Sequence, residues 1–155
     1  LRKRQAIIDG DESSTVKERT EILVAIADWY QWHRRYASAI RYYEEAWSLA
    51  GNNADASQWM QTNFADPLEL PRDTVFRPGA VPLGTLNDAV VDMRFDVSRH
   101  GEAKQIKILT EETRETQAGI TRAYHYLRNL RFRPRVSEGT VVRAEDIERS
   151  YFIRY

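Results

Sequence analysis

Four prolines, Pro67, Pro71, Pro78 and Pro82, fall within sixteen residues near the middle of a 155-residue chain. Each fixes φ and lacks an N–H, so no regular helix can cross this stretch and no central strand can use it. The chain is therefore read as two parts, residues 1–66 and 85–155, joined by a proline-rich linker at 67–84. The patterning differs on the two sides. Before the linker the apolar residues recur at three-four spacing. After it come short alternating runs, a glycine turn and one helical stripe.

In the first part, Thr15 and Glu18 have the spacing of a capping box, so a helix is expected to begin near Val16. Leu23, Ile26, Ala27 and Tyr30 form its apolar face, and Ala39, Ile40, Tyr43, Ala46 and Trp47 repeat the pattern after a break at His33–Tyr36. An antiparallel helix pair is the expectation. Gly51, Asn52 and Asn53 end the second helix, and Ala54 to Phe64 suits a shorter third one before Asp66 and Pro67. In the second part, Val91, Met93, Phe95 and Val97 alternate with Asp92, Arg94 and Asp96, as in a half-buried strand. The turn at Ser98–Glu102 contains Gly101, and Ala103–Leu109 returns with Ile106 and Ile108 inward. A helix is expected from about Glu115 to Leu130, carrying Ile120, Ala123, Tyr124, Leu127 and Leu130, with Pro134 limiting its extension. Ser150–Tyr155 reads as a last strand. The fold class is α+β with a small antiparallel sheet.

Composition narrows the function classes. Apolar residues at 42% and charged residues at 30% can build a core, and 23 basic side chains offset 23 acidic ones. No global field drives binding to nucleic acid or to an anionic membrane. The absence of cysteine removes disulfides, thiol nucleophiles and cysteine metal sites. His33, His100 and His125 lack the spacing of a helical metal pair, and no nucleophile sits in a recognisable catalytic motif, so neither catalysis nor a cofactor nor a metal is expected. Arg122, Arg128, Arg131, Arg133 and Arg135, interleaved with Tyr124, Tyr126 and Phe132, resemble a nucleic-acid surface. The favoured reading has them serve the negative end of the preceding helix and a solvated strand. No window approaches the roughly 20 apolar residues of a membrane span. The sequence opens on Leu1 rather than Met, so any anchor is expected upstream of it.

The positions Leu23, Ile26, Ala27, Tyr30, Ala39, Tyr43 and Ala46, with Tyr36 before the second helix and Gly51 after it, resemble one tetratricopeptide repeat. That resemblance implies a concave face bearing Glu21, Val24, Asp28, Gln31 and Trp32, where such repeats hold peptides. From about Val90 to Tyr155 the chain resembles the C-terminal domain of TonB-type energy transducers. The similarity lies in Phe95-Asp96-Val97, Gly101, Ile106 and Ile108, the helix leading into Arg131-Phe132-Arg133-Pro134, and Gly139-Thr140-Val141. The family commonly has a Tyr-Pro pair at the domain entrance, where this sequence has Phe76-Arg77-Pro78. The resemblance implies a β-β-α-β domain, a periplasmic location and a non-enzymatic role. The domain would bind a segment of an outer-membrane receptor, or of another envelope protein, by strand addition. The partner-binding edge would be Tyr151, Phe152, Ile153, Arg154 and Tyr155. The same strand could pair with itself in a homodimer. The alternative is a scaffold or adaptor of tetratricopeptide type that binds peptides or self-associates without transducing energy.

Overall fold

A computed structural model describes residues 15–71 and 88–154. Phe76-Arg77-Pro78, most of the linker and Tyr155 lie outside the described residues. Among the described residues the architecture is mixed: four helices and small antiparallel sheets. Helix α1 runs over Val16–Trp32, α2 over Tyr36–Ala50 and α3 over Ala54–Phe64. The capping box forms as the spacing predicts, with the Glu18 N–H donating to Thr15 Oγ1 at 3.2 Å and the Thr15 N–H to Glu18 Oε2 at 2.8 Å. Arg34, at φ 57°, reverses the chain between α1 and α2. Ala27, Ala39 and Ala46 are fully buried, and their small side chains let the two helices approach closely while Tyr30 and Tyr43 fill the space beside them. Asn53 caps α3 by accepting from the Ala56 N–H at 2.9 Å.

Beyond the helices, β1 (Leu68–Glu69) pairs with β4 (Phe132–Arg133). Strands β2 (Asp88–Val97), β3 (Ala103–Ile108) and β7 (Ala144–Arg154) form the main antiparallel sheet in the order β3-β2-β7. Helix α4 (Gln117–Asn129) covers its inner face. The alternation in β2 reads true: Val91, Met93, Phe95 and Val97 are all at most 1% exposed, packed with Ile120, Ala123, Leu127 and Phe132. A separate two-stranded ribbon, β5 (Arg135–Ser137) with β6 (Thr140–Val142), closes on a two-residue turn. Glu138 at φ 49° and Gly139 at φ 81° give that turn two left-handed residues, the requirement of a tight hairpin whose twist matches its strands.

The departures from the sequence expectation have a common physical cause, which is packing between parts distant in the chain. The last strand begins at Ala144, not Ser150, and β1 occupies the first residues of the linker, where Pro67 and Leu70 are buried. The ribbon supplies Val136 and Val141 to the core that α1, α2 and α3 enclose, so the helices complete their burial with residues from the other half. Asp96, expected on the solvated face, is 6% exposed. The pairing of β2 slips by one residue on both of its sides at this level, through Gln105 at φ 51° in β3 and Asp146 at φ 52° in β7. Such bulges re-aim side chains. The Asp96 carboxylate is turned to accept from the Asp146 N–H at 3.0 Å and from the Arg143 guanidinium.

Two outcomes are expected from this arrangement. Gly101 has φ 64°, and a Cβ there would fall inside the radii of Gln31 Nε2 and the Phe132 carbonyl oxygen. Gly101→Ala is therefore expected to cost roughly 2 kcal/mol or more in a denaturant titration, since both strain and overlap must be relieved; an unchanged midpoint would contradict the packing described. Hydrogen bonds from Arg143 and the Asp146 backbone hold the Asp96 carboxyl below its ordinary value of 3.8. A depressed folded-state value means the stabilisation is complete above the unfolded value and is lost as pH falls through the folded one. Asp96→Asn is expected to lower Tm at neutral pH, with the gap to wild type narrowing below pH 3.8.

Candidate partner-binding surfaces

Strand β7 is an outer strand of the main sheet, paired with β2 alone among the described residues. Its register is continuous over the candidate segment, with Tyr151 opposite Val91, Phe152 opposite Val90, Ile153 opposite Ala89 and Arg154 opposite Asp88. Period-two alternation splits these residues between faces. Tyr151 points inward, is 7% exposed and donates its hydroxyl to Glu69 Oε1 at 2.7 Å. Burial first, and then the Glu69 carboxylate, push its phenol well above the ordinary value of 10.0. Phe152 stands on the opposite face at 64% exposed, beside Val90 at 57%. Arg154 pairs with Asp88 at 2.8 Å across the strand, and Arg94 pairs with Glu148 farther along. The outer face is thus an apolar pair flanked by ion pairs. The charges shield the face, while the outer backbone edge of β7 has no ladder partner among the described residues.

The expected concave face of the helical repeat is largely occupied by the protein itself. Val24 is 1% exposed and lies in the helical core. Gln31 is fully buried, its Nε2 donating to the His100 carbonyl, and its Oε1 has no partner among the described residues. Asp28 is held by Arg133, whose Nε and Nη2 donate to its two carboxylate oxygens at 3.0 and 2.7 Å. Tyr43 donates to the same Oδ1 at 2.7 Å, and the Arg133 guanidinium lies 5.2 Å from the Phe64 ring centre. Burial disfavours the Arg133 charge, but the Asp28 carboxylate outweighs it and raises the guanidinium above its ordinary value. Burial and the same carboxylate raise the Tyr43 phenol. Glu21 is half-buried within reach of Lys17, at 4.0 Å. Trp32 remains at the surface, lining with Trp29, His33, Leu70 and Pro71 a groove of about 490 Å³.

The arginine run does not make one surface. Arg133 is committed to Asp28, Arg122 reaches the Arg154 carbonyl at 3.3 Å, and Arg131 is buried with Nη1 donating to the Leu130 carbonyl at 2.8 Å. Arg128 and Arg135 are exposed. The histidines are separate as well: His33 packs on Trp29, His100 stacks on Tyr36 and His125 meets Tyr124. No group of three or more histidine or acidic side chains able to hold a metal ion occurs among the described residues. No helix among them is long and apolar enough to cross a membrane. Sequence reading missed the Asp28–Arg133 pair because the two residues are 105 positions apart. The available signal was an unpaired acid on an apolar helix face.

Removing one partner of this partly buried pair leaves the other charge uncompensated. Asp28→Ala is expected to destabilise the chain by about 3 kcal/mol. Tyr43→Phe, which loses one hydrogen bond and little volume, is expected to cost about 1 kcal/mol. Chemical denaturation of the two variants checks the order; equal midpoints would mean that the pair contributes no more than the phenol.

No protein-family model matches this chain, and no curated protein matches it.

Proposed function

We propose that this chain is the partner-binding part of a TonB-like energy transducer in the periplasm. It would capture a segment of an outer-membrane receptor or other envelope protein by adding it as a strand beside β7. The observation that carries this reading is the position of β7 at the sheet edge, with no strand paired on its outer side among the described residues. Main-chain hydrogen bonds would supply the affinity, and alternate side-chain positions the selectivity. The residues of the resemblance also have structural work consistent with it. Phe95 and Phe132 pack with ring centres 5.7 Å apart, Gly101 permits the hairpin to meet the segment after α4, and Gly139 makes the ribbon turn against Trp47. The loading would be non-enzymatic: a bound strand transmits force through the ladder, and no bond is made or broken.

A second reading, an adaptor that holds peptides without transducing energy, is favoured by the groove beside Trp29, a residue that is 44% exposed. The two readings place the partner on different surfaces. That difference makes them separable.

In an antiparallel ladder, successive N–H groups point alternately to the partner strand and outward. Of Phe152→Pro and Ile153→Pro, one therefore disrupts pairing with β2 and lowers the melting temperature. The other is expected to keep a native melt while abolishing capture of an envelope protein by a photo-crosslinking residue at Ser150. Arg154→Ala, which keeps the backbone, is expected to leave capture nearly intact. If the folded proline variant still captures its partner, strand addition at β7 is wrong; if Trp29→Ala alone abolishes capture, the adaptor reading replaces it.

A further inference from the structure

On the opposite side of the sheet from β7, strand β3, the end of α4 and the turn between α1 and α2 enclose a cleft of about 600 Å³. Its wall carries Arg34, Lys104, Arg128 and Arg131 against a single carboxylate, Glu102. A formal surplus of three positive charges thus gathers in one concavity of a chain whose net charge is zero. Glu102 is already engaged. It accepts from the Tyr36 hydroxyl at 2.8 Å and pairs with Lys104 at 3.0 Å. Burial would raise its carboxyl, but these partners and the charge of Arg131 hold it below 4.5.

Arg34, Arg128 and Arg131 have no ion-pair partner among the described residues. Arg131 is the informative one, because its side chain is 93% buried by its neighbours, with 7% exposure remaining. Nη1 is satisfied by the Leu130 carbonyl. Nε and Nη2 make no hydrogen bond among the described residues, and Arg131 is one of the residues that line the cleft. A recessed guanidinium with two donors not hydrogen-bonded among the described residues, two further arginines on the rim and Tyr124 in the lining is an arrangement that repels cations and is costly to leave without an anion.

We propose that this cleft is an oxyanion site, which takes a phosphate group through Arg131 at its base and Arg34 and Arg128 at its rim. Phosphate is favoured over a lone carboxylate because three guanidinium groups without an ion-pair partner among the described residues line one cleft, and a phosphomonoester or diphosphate offers two or more charges and several acceptors to match them. The phosphate could belong to a free small molecule or to a lipid headgroup; the recognising chemistry is the same. Because Arg34 belongs to the helical half while Arg128 and Arg131 belong to the other, a bound phosphate bridges the two halves. The site is independent of β7, so its fate does not depend on strand addition.

The test uses the 155-residue chain with two probes at low salt: pyrophosphate by calorimetry, and phosphatidylcholine vesicles with and without phosphatidic acid by co-sedimentation. Saturable binding of pyrophosphate is expected, weakened about tenfold by Arg34→Ser and again by Arg128→Ser. Arg114→Ser, an exposed arginine outside the cleft, should bind as wild type. Vesicle binding that requires phosphatidic acid and is lost in the same two rim variants assigns the phosphate to a lipid. Pyrophosphate binding without vesicle binding assigns it to a soluble ligand. Both rim positions are exposed, so a folding defect is not expected, and a thermal melt of each variant verifies it. Absence of saturable binding to either probe overturns the proposal. So does binding that is equal in wild type and both rim variants, or weakened equally by Arg114→Ser.

Discussion

The bidentate pair between Asp28 and Arg133 is the contact on which the joining of the two halves most depends. It gathers side chains from all three helices described in the first half: Asp28 on α1 and Phe64 on α3 meet one guanidinium from β4, and Tyr43 on α2 donates to the same Asp28 carboxylate. A planar fork can satisfy a carboxylate and lie against an aromatic ring at once, which an ammonium cannot. The flanking contacts follow from this alignment. Gln31 reaches the His100 carbonyl one turn farther along α1, and Tyr36 reaches Glu102. The segment after α4 can meet both halves only because Gly101 leaves room for the Phe132 carbonyl.

The helices and the central strand were legible in the sequence because their information is local. Three-four spacing from Leu23 to Tyr30, the Thr15–Glu18 box and the alternation from Val91 to Val97 each specify an element without reference to anything distant. The short strands were not legible. Leu68–Glu69 and Phe132–Arg133 are strands only because they find one another, and two residues carry no periodicity. Asp96 reads as a solvent residue by alternation, and the two flanking bulges alone turn it inward. The repeat pattern placed Val24 and Gln31 on an open face, and it had no means of showing that Val24 is buried or that Gln31 meets the His100 carbonyl of the second half. Of the basic cleft, Arg128 and Arg131 stood out as members of an arginine run. Arg34 and Lys104 join them only through the tertiary fold.

The sheet thus offers its two margins to different chemistry. Beside β7 lies an edge with no paired strand among the described residues, suited to an extended chain and indifferent to most side chains. Beside β3 lies a concave, positively charged wall, suited to a compact anion. Between them β2 is paired on both sides and buried on its inner face, which makes it the rigid member that holds the two margins apart.

The ribbon of β5 and β6 has a further consequence for the order in which the molecule can be built. Its Val136 and Val141 complete the core enclosed by the three helices, and the Val141 N–H reaches Glu44, 97 positions earlier. On the ribosome the helices emerge first and can form from local contacts. At roughly 5–20 residues per second, several seconds pass before the valines that seal their apolar interior are synthesised. During that interval the nascent helical half carries an open seam. The helical half therefore matures only after the polypeptide downstream of it has been made, and its apolar surface is a natural target for a chaperone until the ribbon arrives.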